Sequence, residues 1–171
     1  MPITRPSSSE YAPYYQTYIQ LVNEDDLLLA LKRIAKIWND LVNGISEEKL
    51  NFSYAEGKWS LKEVLIHITD AERVFAYRAL RFARNDKTEL SGFDENSWVP
   101  ESNAAERSLE SLIKEHNNVR GASISLFENL GEEESLRCGL ANGKEVSVRA
   151  LGYIICGHEL HHLRIIQERY L

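Results

Sequence analysis

Four stretches of the chain repeat apolar residues at intervals of three and four, the spacing that gathers them on one face of an α-helix. The first follows the polar turn Asn23-Glu24-Asp25-Asp26 and carries Leu27, Leu28, Leu31, Ile34, Ala35, Trp38, Leu41 and Val42 before Gly44 stops it. The second opens where Ser60 and Glu63 form a capping box and runs to about Arg84, with Leu61, Val64, Leu65, Ile68, Ala71, Phe75 and Phe82 on its stripe. A cap near Ser102 or Asn103 opens the third, whose stripe includes Leu109, Leu112, Val119, Leu126, Phe127 and Leu130 and which Gly131 ends. Ser147 caps the fourth, which runs almost to the last residue.

The connections are less regular. Tyr11, Tyr14, Tyr18 and Leu21 keep helical spacing, which predicts a shorter N-terminal helix laying a tyrosine-rich face on the core as filling. Residues 85–102 read as a loop, and Asn142-Gly143 sits between short apolar runs as the turn of a small hairpin or an ordered loop. With so little strand signal and no internal repeat, the pattern predicts an all-α four-helix bundle. The long connection between the second and third helices permits a crossover, so periodicity alone leaves the helix order open.

At 171 residues the chain has room for one domain, read as residues 1–171. Hydrophobic residues at 43% and charged residues at 27% are ordinary for a globular protein, so composition adds no bias toward disorder. A net charge of -6 argues against a surface built to neutralise phosphates, and nucleic acid is not expected as a partner. No apolar run is long enough for a signal peptide or a membrane span, so a cytoplasmic protein with no membrane partner is expected. Cys138 and Cys156 are too few for a disulfide framework and are read as packing thiols.

The chemistry concentrates in the last helix, at Gly157-His158-Glu159-Leu160-His161-His162, which contains the H-E-x-x-H pattern of zinc peptidases. The protease reading fails on what surrounds it. Ile165 and Glu168 stand where one peptidase group needs Gly and His, and the nine residues after His162 leave no room for the later helix that another group uses. Helix phase nevertheless retains the two outer histidines. At about 100° per residue, His158 and His162 fall within one stripe with Leu151, Ile155 and Ile166, one turn apart and able to share a metal ion, while His161 flanks them. A third ligand must come from upstream, and spacing does not choose between His67, beside the stripe of the second helix, and His116, near the middle of the third.

Other polar residues carry two readings each. Glu159 is a solvated carboxylate or a partner of the metal-binding histidines; Asp70 and Glu63 are surface charges or acceptors for the second N–H of His67. Arg78 and Arg120 fall on or beside core stripes, where a buried guanidinium needs a partner: an acidic residue of a neighbouring helix, or the carboxylate of a substrate.

Residues 57–84 followed by residues 148–171 resemble the DinB/YfiT-like superfamily of metal-dependent enzymes in the Trp59 position and the spacing around each histidine, a likeness that extends over nearly the whole chain. The resemblance implies a four-helix bundle of up-up-down-down order and one divalent metal held by His67, His158 and His162, which resolves the choice against His116. Its members include transferases that join low-molecular-weight thiols, such as bacillithiol, to electrophilic substrates, and a mycothiol-dependent isomerase. It therefore implies a small-molecule thiol and an electrophile as partners, with metal-dependent hydrolysis or metal binding without turnover as alternatives. Relatives often pair, and Tyr153 and Cys156, off the main stripe, are compatible with a homodimer contact or with contact to the N-terminal segment. Three neutral imidazoles suit zinc or nickel and leave a coordination position open.

Overall fold

The computed structural model describes residues 2–171. Its helices and strands are α1 (Gln16–Ile19), α2 (Leu27–Val42), α3 (Glu47–Leu50), α4 (Leu61–Ala83), α5 (Glu95–Trp98), α6 (Leu109–Glu128), α7 (Glu132–Leu136), β1 (Cys138–Ala141), β2 (Lys144–Ser147) and α8 (Val148–Arg169). The four long helices are those the apolar spacing picks out, and the caps explain where three of them begin. Asp26 accepts from the Leu28 amide at the start of α2, Ser60 and Glu63 close a reciprocal box at α4, and Ser147 accepts from the Ala150 amide at α8.

The third long helix begins later than expected. Asn103 adopts a left-handed φ of 53° and leads only a 3₁₀ turn, Ala104–Glu106, while Ser108 caps α6 by accepting from Ser111. The helix ends at Glu128, ahead of Gly131. Asn142 and Gly143, both with positive φ, turn the hairpin that pairs β1 with β2, Cys138 opposite Ser147 and Ala141 opposite Lys144. The expected loop after α4 holds one more helical turn, α5, and the 3₁₀ turn Val99–Glu101.

Contacts along the helices fix their directions. Arg73 meets Glu115 at 2.6 Å and Lys62 donates to the Ala105 carbonyl at 3.0 Å, so α4 and α6 run side by side in the same sense. Tyr153 near the start of α8 donates to the Glu24 carbonyl just before α2, and Lys49, beyond the end of α2, donates to the Tyr170 carbonyl, so α2 and α8 are also parallel. Trp38 stacks on His116 while Arg120, a turn further along α6, reaches back to Leu31, which sets α2 antiparallel to α6. The all-α four-helix bundle is as expected, but its order is up-down-down-up in place of up-up-down-down. The physical reason is the connection of residues 84–108, which returns along the bundle so that α6 retraces the direction of α4.

Two apolar clusters fill the bundle. One gathers Leu27, Leu31, Phe82, Phe127 and Leu151 toward the hairpin end; the other gathers Trp38, Leu61, Leu65, Leu112 and Ile166 toward the opposite end. Burying each such side chain stabilises by about 1.5–3 kcal/mol relative to exposure. Between the clusters lies a belt of buried polar side chains, Glu72, His116, Arg120, His158 and Glu159, with His67 at its edge. Buried polar groups are costly unless partnered, so each member of the belt needs a partner or a ligand.

Candidate metal centre

α4 and α8 run antiparallel and pack closely, which brings the first third of one against the last half of the other. His67 comes from the first, His158 and His162 from adjacent turns of the second. Nε2 of His158 lies 3.1 Å from Nε2 of His67 and 3.2 Å from Nε2 of His162. Aromatic neighbours hold two of the rings: Trp59 against His67 at 4.9 Å between centroids, Tyr18 against His158 at 5.5 Å, and Phe75 against His158 at 6.0 Å. Tyr18 can come this close because of Gly157, where a Cβ would stand 2.1 Å from the Tyr18 carbonyl oxygen. The residue before His158 is thus a glycine for a packing reason.

Burial pushes the imidazolium forms down in all three rings, to about 4 for His67 and about 3 for His162, and well below the ordinary value for His158, where the neighbouring histidines add to the effect. The rings are therefore neutral near pH 7. With each proton on Nδ1, three lone pairs point at one another across about the distance separating ligand nitrogens around zinc, roughly 3.3 Å for metal–nitrogen bonds of about 2.0–2.1 Å in a tetrahedron. Neutral nitrogen donors at that separation repel one another and suit a shared cation. Among the described residues no carboxylate or thiol joins the group.

His116 goes elsewhere. It is fully buried, stacked on Trp38 at 3.8 Å with planes 6° apart, and its Nε2 lies 3.2 Å from Glu159 Oε1 without the alignment of a full hydrogen bond. Glu72, His116 and Glu159 would also offer metal-binding atoms close together. A cation already serves them, however: Arg120 donates Nε and Nη2 to Glu72 at 2.9 and 2.8 Å, Nη2 to Glu159, and Nη1 to the Leu31 carbonyl at 3.2 Å. This cluster is a buried ion-pair core rather than a second vacant ligand set. Arg120 has the acidic partners its position on a core stripe predicts.

Glu159 is not solvated; at 1% exposure it belongs to that core, and although burial pushes its carboxyl up, Arg120 and His116 together hold it below the usual range. Neither Glu63 nor Asp70 serves His67, since Glu63 closes the cap of α4 and Asp70 accepts from Arg73. The tyrosine-rich segment is also placed differently from expectation. Tyr14, Tyr15 and Tyr18 line a cavity of about 280 Å³ whose floor is the three histidines, and His161 joins its wall. Tyr14 and Tyr15 come from the 3₁₀ turn Pro13–Tyr15 and Tyr18 from the single turn of α1, and all three stand at the wall of the site. Glu95 and Phe93 enter the same wall from the segment before and within α5, a contribution that the loop reading of residues 85–102 gave no means of locating.

A sequence model described as the DinB superfamily matches residues 30–166. The chain belongs to the DinB superfamily. Over 154 residues, 85% of this chain and 86% of the relative, it is 30% identical to a protein of Oceanobacillus iheyensis named "Putative metal-dependent hydrolase". A protein of Geobacillus thermodenitrificans with the same name is 25% identical over 86% of this chain and 85% of its own length. Among solved structures, YfiT from Bacillus subtilis, described as "a probable metal-dependent hydrolase with an unusual four-helix bundle topology", superposes with a TM-score of 0.72. That match covers 95% of this chain and 89% of YfiT at 16% identity, a likeness of fold. Membership of the DinB superfamily accounts for the bundle and leaves the chemistry to the residues in the cavity.

Proposed function

We propose that this chain is a metal-dependent hydrolase of small molecules in which His67, His158 and His162 hold one divalent ion, zinc or nickel. The observation that carries the reading is the convergence of three neutral Nε2 atoms on the floor of a cavity, with no fourth side-chain donor in the group. Three protein ligands and an open position characterise catalytic metal sites, whereas structural sites are closed by a fourth. The names of the Oceanobacillus and Geobacillus relatives support the same reading. Bound there, a divalent ion lowers the pKa of a water molecule toward neutrality and polarises a carbonyl.

The rest is the work of the chain. Tyr18, Trp59 and Phe75 wall the histidines and exclude bulk water, which strengthens electrostatic interactions inside. Burial raises the phenol of Tyr18, so this group stays protonated at the cavity wall, its hydroxyl paired with that of Tyr14 at 2.7 Å. Glu95 is the one carboxylate in the lining and its charge reaches His67; it is the group suited to accept a proton from a nucleophile.

The test is hydrolysis of a panel of 4-nitrophenyl esters, anilides and phosphates by zinc- and nickel-loaded protein, chelator-treated protein and His158→Ala. Turnover confined to the metal-loaded wild type supports the proposal. Equal turnover in His158→Ala overturns it, and so does metal-dependent conjugation of cysteine to monobromobimane without any hydrolysis, the result that thiol transfer would give. No feature of the cavity singles out a thiol.

A further inference from the structure

Among the described residues two arginines are buried, and they are partnered differently. Arg120, 2% exposed, has two carboxylates and a carbonyl. Arg78, 3% exposed, has no carboxylate within ion-pair distance among the described residues. One of its nitrogens donates to the Ser91 carbonyl at 2.8 Å, the phenol of Tyr15 lies beside it, and its guanidinium rests against Phe75 and Phe93, 5.9 and 5.8 Å from the ring centroids. It lines the same cavity as the three histidines and is almost wholly covered by its neighbours. A shielded guanidinium without a counter-ion is costly, and aromatic faces relieve only part of that cost.

We infer that Arg78 is the anchor for an anionic group of the substrate, and that the cavity takes a small molecule with an apolar or aromatic body and one carboxylate. The inference rests on this cavity being the substrate site and names the substrate class. A guanidinium presents paired donors that match a carboxylate in plane. Aromatic walls from Tyr15, Phe75 and Phe93 suit an apolar body between that anchor and the histidines. A phosphate dianion fits less well, because Arg78 is the only arginine or lysine of the lining and Glu95 adds a negative charge to the same wall. A cavity of about 280 Å³ also limits the ligand to a small molecule, at the lower edge of ordinary ligand pockets. Arg78 thereby positions the substrate's reactive carbonyl over the histidine floor without itself taking part in bond making.

The probes are phenylacetate and its neutral isostere phenylacetamide, titrated calorimetrically into wild type, Arg78→Gln and Arg78→Lys, each zinc-loaded and chelator-treated, with circular dichroism confirming the fold. A carboxylate can also bind a metal ion, and the chelator-treated arm separates the two sources of preference. Wild type is expected to favour phenylacetate over phenylacetamide by at least about tenfold in both arms, the scale of one charge-assisted hydrogen bond. In metal-free Arg78→Gln the preference falls to about one, and Arg78→Lys, which keeps the charge without the planar fork, retains only part of it. An undiminished preference in Arg78→Gln overturns the inference, as does a wild-type preference that appears only with zinc, or no binding of phenylacetate at millimolar concentration. Elemental analysis of the same samples reads the metal proposal separately, so loss of the metal site and loss of the anion anchor give different results. Should Arg78→Gln fail to fold, Arg78→Lys alone decides, since an unreduced preference there contradicts bidentate anchoring.

Discussion

Replacing Arg120 by methionine isolates the contribution of the buried ion-pair core. Methionine keeps most of the apolar stem and fills a similar path through the helices, so the loss is chiefly electrostatic. The change deletes two hydrogen bonds of 2.8–2.9 Å to Glu72, the bond to Glu159 and one of 3.2 Å to Leu31. It leaves two carboxylates, 2% and 1% exposed, facing one another without a cation. Breaking a buried pair from one side costs about 3–5 kcal/mol, mostly from the uncompensated charge left behind. For a domain of this size each kcal/mol moves Tm by about 2–4 °C, so a fall of roughly 6–20 °C is expected. Urea denaturation followed by far-ultraviolet circular dichroism gives the free energy, and differential scanning calorimetry gives Tm. Adding Glu72→Gln and Glu159→Gln to Arg120→Met removes the stranded charges and is expected to recover at least half the loss. If Arg120→Met lies within about 1 kcal/mol of wild type, the reasoning that this core is a buried, mutually dependent ion cluster is refuted.

Three further outcomes follow from local geometry. Gly157→Ala places a Cβ 2.1 Å from a backbone oxygen of Tyr18, so it is expected to destabilise the fold by about 1–3 kcal/mol and to raise the fluorescence accessibility of the tyrosine segment to iodide quenching; an unchanged Tm contradicts that close approach. At Glu10, burial alone would raise the carboxyl, but hydrogen bonds from Arg149, Ser7 and Ser147 outweigh it and hold the group at about 2. The sign follows: a lowered native pKa gives stability that is complete above the ordinary value near 4.5 and is lost as pH falls toward about 2. The stability gap between wild type and Glu10→Gln, measured by denaturant titration, should therefore be constant from pH 6 to 8 and shrink below about pH 4.5, and a gap that widens on acidification contradicts it. Burial raises the thiol of Cys156 and leaves it inaccessible, whereas Cys138 is half-buried. Native protein should accordingly show one thiol to a dithiobis reagent and unfolded protein two, and fast labelling of Cys156 in the native state counts against its burial.

Apolar spacing and caps located α2, α4 and α8 because those signals are local: Ser60 with Glu63, and Ser147 before a continuous stripe, act within one turn. The start of α6 was not legible for the same reason. Asn103 followed by Glu106 and Ser108 followed by Ser111 are both plausible beginnings, and the first becomes a 3₁₀ turn whose Ala104 is buried beside the base of α4. Helix order was a property of the connections, which carry no periodicity. At the site, helix phase retained His158 and His162 but could not separate His67 from His116, since both lie near core faces. The difference between them is what each meets across the bundle: Nε2 of His158 for the one, Trp38 and Glu159 for the other. Glu159 was misread because its partner Arg120 lies 39 residues away on another helix, and no feature of the last helix alone announces it. The spacing of Tyr11, Tyr14, Tyr18 and Leu21 suits a helix laid on the core as filling, but a 3₁₀ turn followed by a single helical turn docked at Gly157 puts Tyr14 and Tyr18 in the cavity wall instead.

The central claim is that one metal ion is shared by His67, His158 and His162. Protein purified without added metal, exchanged against buffered zinc and analysed by inductively coupled plasma mass spectrometry, tests it most directly when wild type is set beside His67→Ala, His158→Ala, His162→Ala and His116→Ala. About one equivalent of metal is expected in wild type and His116→Ala, and a loss of at least about tenfold in affinity in each of the other three. Full metal occupancy at wild-type affinity in His67→Ala would contradict it.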